Sequence, residues 1–559
     1  MCIFTQIQKN FPSVEIYSLQ NGVKLLKINE LQGETQLTAI NQTIVESGYS
    51  VSDQWQDHGS HFSTYIKGEE ALYLAYHEKN NTLRIITDSI KSLPPKQKND
   101  EAKCLCTPLL IQGRPMYYAY DCGMLYIIRL TDGRFIVIDG GMCEYEEADH
   151  FLELLDQQNV TEDKPTIAAW FITHPHDDHF NVFARIMTEY QDRIHLESLV
   201  YSWAEEEYAR PGSDLTDFKK AIDNLSDSVT IIQPHTGQRF TYSGATFHIL
   251  YTHEDACPDF LTNVNDTSIV MRMDLDEQTA EGQRRAIFFG DAMFGTAERL
   301  CDTYASETLQ CDLMQVAHHG YSGGSDRLYR TVDPKVILWP VPDYWFWTTS
   351  VLDCNYYLTH SEKAEALFIG GRHEVTLDLS KPIQAIDPYE KHNNAQPGDV
   401  LYEENFTGDR AYDLYWSAIN TGYTDYVSAA ITLQKESCRL VAGEHHSMGE
   451  LMQPGMLRKA QNWTLTLSGH AERAGVTGLF WNYDRPDVYK EEEVLHLPVQ
   501  DGEDFDIEFI VNGDAGKAIL KNKGEFIEEL TFTPSHHKGL YLILQDAEIS
   551  LNHIKVVKN

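Results

Sequence analysis

The segment ITHPHDDHF, residues 172 to 180, places three histidines and two aspartates within six consecutive positions. Imidazole and carboxylate are the side chains that hold zinc and similar divalent ions. The spacing is H-x-H-x-D-H, so His174 and His176 alternate while Asp178 and His179 are adjacent. One tight turn can therefore aim His174 and His176 at one ion, and Asp178 and His179 at a neighbouring one. A polar surface loop is the alternative reading. Four liganding side chains directly after an apolar run are a poor way to gain solubility, and the metal reading is the stronger. Asp177 is read as solvated.

Such a site needs further ligands and a frame that presents them. RRAIFFGDAMF places Asp291 at the end of an apolar strand, after a glycine that lets the backbone approach closely. LMQVAHHGYSGG places His318 and His319 at the end of another. Around them, apolar strands such as TIAAWFI, ATFHILYT, TSIVMRMDL and KVILWPV alternate with helical patterns such as EEADHFLELLDQQN. Strands interleaved with helices, with polar residues collecting past strand ends, predict a layered α/β domain over residues 108–395.

The flanking regions read differently. Residues 1–107 predict a small α+β domain, with a helix in 34–49 and strands FSTYIKG, ALYLAYHEK and TLRIITD joined at Asn80-Asn81. The polar stretch 92–103 reads as a linker. Residues 396–559 carry short alternating strands and predict an antiparallel, jelly-roll-like β-sandwich.

The chain has 84 acidic and 45 basic residues among 559, a net charge of −39 with histidine neutral. A surface of that sign repels polyanions, which makes long nucleic acid and acidic membrane faces poor partners. A small anionic substrate stays open, because a bound ion dominates its local field. Without a basic start and apolar h-region or a long apolar span, the expected location is the cytoplasm, without a membrane partner. The ten scattered cysteines are expected to be reduced thiols.

The ordered set FIVIDGG, THPHDDH, NDTSIVMRMDL, AIFFGDA and QVAHHG resembles the metallo-β-lactamase superfamily of binuclear metal hydrolases, over roughly residues 115–395. It resembles most closely the hydrolase domain attached to DNA-uptake competence channel proteins, whose N-Y-x-x-x-H pattern fits Asn355 to His360. The resemblance implies an αββα sandwich core holding two divalent ions, zinc first, with manganese or iron possible. It implies one ion on His174, His176 and a third imidazole, and the other on Asp178, His179 and His318, with Asp291 bridging. His253 in ATFHILYTHEDA is the candidate third imidazole, His235 is the alternative, and His248 is expected to pack along its strand. Asp139 would hydrogen-bond a ligand imidazole and fix its tautomer. His319 would stand behind the ligands or touch substrate, and His360 would serve as a proton donor or else sit at a helix start.

The expected chemistry is hydrolysis by a hydroxide shared between the two ions. No GxSxG elbow, P-loop or GxGxxG motif competes with it. The subgroup resemblance favours a phosphoester or phosphodiester in a small substrate, with a lactone or amide as the alternative. Tyr344, Trp345, Phe346 and Trp347 are read either as a pocket wall or as loop packing. The C-terminal sandwich resembles carbohydrate-binding modules in pattern, which offers glycan or partner binding as a second function. Trp463, Trp481 and Tyr483 would then stack on sugar rings, unless they fill the sandwich core.

Overall fold

Alternation along each strand decides which face it buries. In Tyr126–Arg129 and Phe135–Ile138, Tyr126, Ile128, Ile136 and Ile138 enter one core while Ile127, Phe135 and Val137 enter another. The second core is completed by the apolar stripes of helices Glu147–Gln158, Asp177–Glu189 and Thr216–Asp223. The first core is an interface between two sheets, in which Phe171 packs on Phe240 and Phe247, and Tyr126 on Phe288. Two sheets face to face with helices outside follow from a strand bearing apolar residues on both faces.

The computed structural model describes residues 3–95, 109–110, 123–143, 147–341, 346, 349, 352–370, 376–383, 395–406, 430–452, 462–482, 494–531 and 539–559, leaving out 12, 162, 280, 281, 362, 380, 435, 444–446 and 514 within these ranges. The first of the two facing sheets runs Thr230–Ile232, Ser198–Tyr201, Thr166–Ile172, Phe135–Ile138, Tyr126–Arg129, Leu109–Leu110. The second runs Arg239–Tyr242, Ala245–Tyr251, Val270–Thr279, Gly282–Phe288, Leu313–Gln315, Val336–Trp339, Ala366–Ile369. Strands 166–172, 282–288 and 313–315 have parallel neighbours. Their C-terminal ends carry the loops that hold His174, Asp291 and His318.

The N-terminal residues form a six-stranded antiparallel sheet. Helices Ile3–Asn10 and Gly33–Glu46 cover one face, burying Leu26, Ile28, Leu72, Leu74 and Ile85. The expected helix and the three expected strands are all present, and Asn81 adopts the left-handed conformation (φ 54°) that closes its hairpin. This sheet was expected to stand as a separate domain. It instead shares one compact unit with the two-sheet region, built on Met1–Arg114, Asp121–Asp343 and Asp353–Ile386. The reason is chemical. In strands 245–251 and 270–279, His248, Arg272 and Asp274 have the parity that leaves the inter-sheet core, and they would be costly to bury alone. The N-terminal sheet answers them: Asp57 pairs with Arg272 at 2.6 Å, and Trp55 packs its ring 4.7 Å from His248.

The second compact unit is built on Asp387–Asn559. Within it, an eight-stranded and a four-stranded antiparallel sheet bury a common core that includes Leu465, Leu467, Phe505, Ile507, Leu542 and Ile549. Strand Asn462–Arg473 alternates buried and half-buried residues over ten positions, as its sequence predicts. Trp463 shares the parity of Leu465 and Leu467. It is 2% exposed and packs edge-on against Phe509, so it is a core residue rather than a sugar platform. The side chain of Trp481, and all of Tyr483, lie outside the described residues.

Candidate metal centre

The strand Thr166–Ile172 ends at a buried carboxylate that belongs to its neighbour. Asp139 follows strand Phe135–Ile138 in a left-handed conformation (φ 61°) and is fully buried. Its Oδ1 accepts from the Thr173 backbone N–H at 2.8 Å. Its Oδ2 accepts from the Thr173 hydroxyl at 3.1 Å and from His179 Nδ1 at 2.9 Å. The next residue, Gly140, lies so close to His179 and Phe180 that a Cβ would sit 3.0 Å from both backbones. The IDGG motif thus anchors both the start of the metal loop and the first turn of helix Asp177–Glu189, which carries Asp178 and His179.

These hydrogen bonds fix the imidazole tautomers. His179 gives its Nδ1 proton to Asp139, which leaves Nε2 as an acceptor. His319 gives its Nδ1 proton to the Pro340 carbonyl at 2.8 Å, with the same result. Thr173 spends its hydroxyl proton on Asp139 and can only accept from His174 Nδ1, at 3.2 Å, so His174 Nε2 is also a lone pair. Three imidazole lone pairs then converge on carboxylate oxygens that cannot donate either. His179 Nε2 lies 3.2 Å from Asp291 Oδ1, and His319 Nε2 lies 3.2 Å from Asp178 Oδ2 and 3.6 Å from Asp291 Oδ1. On the other side, Asp291 Oδ2 is 3.7 Å from His174 Nε2 and 3.9 Å from His318 Nε2, and His176 Nδ1 is 3.1 Å from His174 Nε2.

A buried set made only of acceptors is unstable without a cation between them. Two groups bring such atoms together, Asp178–His179–Asp291–His319 and His174–His176–Asp291, and they share Asp291. Asp291 Oδ1 and His318 Nδ1 are buried without a hydrogen-bond partner among the described residues. The donor set therefore fits two divalent ions. Ionisation behaves accordingly. Burial keeps His174, His176 and His318 below the ordinary imidazole range, hence neutral and able to ligate. Burial opposes protonation of His179 and His319 too, but the Asp291 carboxylate, helped by Asp178 and, at His179, Asp139, outweighs it and raises both. Positive charge is what this half of the site demands.

Backbone strain delivers the second histidine pair. His318 and His319 both have φ near +50° (49° and 51°), a conformation residues other than glycine seldom adopt. The turn is pinned from three directions. His318 N–H donates to the Gly290 carbonyl at 3.0 Å, Trp339 Nε1 to the His319 carbonyl at 3.1 Å, and Asn355 Nδ2 to the Gly320 carbonyl at 2.7 Å. Asp291 is held from behind by its N–H to Ser268 Oγ, 3.0 Å, from the NDTS segment.

The structure distributes the expected ligands differently in two places. His319, expected behind the ligands, stands beside Asp178 and His179, while His318 faces Asp291 on the side of His174. Consecutive left-handed residues send the two side chains apart in a way that spacing does not encode. His253 is in neither close group. It is buried in a capped turn, with Nδ1 3.4 Å from Ser202 Oγ. His235 has both nitrogens engaged, by Glu254 at 2.8 Å and Asp88 at 3.1 Å, and has no lone pair to offer. His248 lies 3.4 Å from Asp274. His360 ends the helix Tyr356–His360, and its side chain lies outside the described residues, as do Tyr344, Trp345 and Trp347; Phe346 is buried. Asn355 was marked in the sequence only by the N-Y-x-x-x-H pattern, without its turn-holding role, and the loop that supports the His174–His179 turn through Ser213 carried no sequence signal. Ser213 N–H donates to the Pro175 carbonyl at 2.9 Å, and Ser213 Oγ bridges the Asp177 N–H at 3.1 Å and carboxylate at 2.9 Å.

No protein-family profile and no curated protein matches the chain. Among solved structures, the metallo-beta-lactamase fold protein YhfI from Bacillus subtilis aligns at 13% identity and TM-score 0.25, over 42% of this chain and 84% of its own. A carbohydrate-binding module from Bacillus subtilis aligns at 7% identity and TM-score 0.19, over 23% of this chain and 92% of its own. A galectin from Caenorhabditis elegans aligns at 15% identity and TM-score 0.15, over 17% of this chain and 82% of its own. At these values the likenesses are partial, and the reading of the site rests on its geometry.

Proposed function

We infer that the chain is a metal-dependent hydrolase of the metallo-β-lactamase type, acting on a phosphoester or phosphodiester in a small substrate. The observation that carries this reading is the pair of imidazole–carboxylate groups joined through the two oxygens of Asp291. His174, His176 and His318 would hold one divalent ion, and Asp178, His179 and His319 the other, with Asp291 shared. Zinc suits this imidazole and carboxylate set, and manganese or iron are the alternatives. Two bound ions supply a nucleophile from water near neutral pH and polarise the bond under attack. The chain's own residues do the rest. Asp139 keeps His179 in the ligating tautomer, Thr173 does so for His174, and Pro340 does so for His319. Asp178, 20% exposed in its side chain, would be the carboxylate that exchanges a proton with entering water.

The test is turnover of bis-p-nitrophenyl phosphate by metal-loaded protein and by Asp291→Ala. The reading expects hydrolysis in the first and a loss of at least about a hundredfold in the second, because one carboxylate serves both ions. Loaded protein inactive on phosphodiesters yet active on lactones or amides would move the substrate class. Loaded protein inactive on all three would remove the hydrolase reading.

A further inference from the structure

Away from the metal centre, a cleft of about 350 Å³ opens between the N-terminal sheet and helix Phe294–Thr303, lined by Lys27, Arg84, Arg299, Asn29 and Thr303 among others. Its charge pattern is unusual for a chain of −39. Lys27 and Arg84 are direct partners across adjacent strands, Lys24–Ile28 and Thr82–Ser89. Like charges set opposite each other in a sheet cost stability. Arg84 is compensated by its ion pair with Asp255 and is held in place by burial. Among the described residues, Arg299 pairs only with the exposed Asp259, at 3.1 Å. Lys27 has no carboxylate within ion-pair distance among the described residues, and its ammonium rests on the Cys257 carbonyl at 3.2 Å. Three carboxylates also line the cleft: Asp255 is taken by Arg84, and Glu298 and Asp302 are both engaged by Arg327 at 2.8 Å. Burial, then Arg84 and Arg299, push the Lys27 ammonium below the usual lysine range, against the pull of Asp259 and Glu15.

We propose that this cleft binds a small phosphorylated metabolite, with its phosphate against Lys27 and Arg299 and the fixed Arg84 behind them. Guanidinium and ammonium groups flanked by amide and hydroxyl donors match a phosphate's geometry and charge. The volume exceeds that of a bare phosphate ion and reaches the lower end of small-molecule sites. The site joins two elements, the N-terminal sheet and helix Phe294–Thr303. Lys27 and Arg84 lie on the N-terminal sheet, and Arg299 lies on the helix whose first residue follows Asp291 by three positions. A ligand bridging them would tie the N-terminal sheet to the segment that carries the bridging carboxylate.

The experiment is calorimetric titration of full-length, metal-loaded protein with methylphosphonate, which has no ester to hydrolyse, and with inorganic phosphate. Asp291→Asn is expected to keep the cleft binding step of wild type. Lys27→Gln and Arg299→Gln are expected to weaken binding by about tenfold or more each, with metal content and circular dichroism unchanged. Lys27→Gln is also expected to melt no lower than wild type without anion, since it removes a like-charge pair. Binding that survives both cleft substitutions, or that is lost only in Asp291→Asn, would overturn the proposal and place the anion at the metal centre. Absence of binding to wild type would overturn it outright.

Discussion

Asp139 acts on the site through a histidine rather than through an ion. Because it fixes the His179 tautomer, Asp139→Asn is expected to weaken metal retention by about 10- to 100-fold, read by competition with a chelator. Retention equal to wild type would detach Asp139 from the site. The histidine pair makes a sharper comparison. His319→Ala is expected to lose metal, while His253→Ala keeps it, because only His319 stands among the other donors. Most of this site was legible in the sequence, because H-x-H-x-D-H, the strand-end Gly-Asp and the histidine doublet each place acceptors at a strand terminus. The division of labour within the doublet was not legible. It depends on two successive positive φ values, held by Trp339 and Asn355 from distant segments.

At the scale of elements, the His174–His179 turn is supported by a loop outside the candidate ligand set. Gly212 passes so close to the Pro175 carbonyl oxygen that a Cβ there would collide with backbone. Gly212→Ala is therefore expected to displace the His174–His179 turn and lower metal content while leaving the circular dichroism spectrum in place. Unchanged metal content would show that the loop yields instead. The strands around the site follow from apolar runs bounded by turns, which is why they were readable. Strands such as Arg239–Tyr242 and Ala366–Ile369 were missed, being short and set by their neighbours rather than by their own pattern. In the sandwich, the sequence left Trp463 between core and sugar platform, and its parity with Leu465 and Leu467 in the strand puts it in the core.

At the scale of the whole molecule, the N-terminal sheet is bound to the two-sheet region by buried charge, which no local pattern reveals. Arg272 is 2% exposed and pairs with Asp57 at 2.6 Å and Asp274 at 2.7 Å. Arg272→Leu strands two carboxylates and is expected to cost about 3–5 kcal/mol, lowering the urea midpoint; an unchanged midpoint would contradict the role assigned to the pair. His235 makes a second link, between Asp88 of the sheet and Glu254, with His253 and the Tyr73 ring also facing it. Burial works against its charge, but Glu254 and Asp88 push its pKa up to about 9. A raised folded pKa stabilises fully below the unfolded value near 6.5 and is lost as pH climbs through 9, a span worth roughly 3 kcal/mol. Urea midpoints are expected to fall between pH 6.5 and 9 in wild type and to flatten in His235→Gln. Parallel curves for the two proteins would remove His235 from the account.

The central claim is a binuclear centre, and its most direct test is metal stoichiometry by elemental analysis of protein loaded with zinc and freed of excess. The account predicts about two equivalents per chain in wild type and a large loss from Asp291→Ala, since both ions lean on that carboxylate. Protein that stays empty after loading, or that holds its metal undiminished in Asp291→Ala, would contradict it.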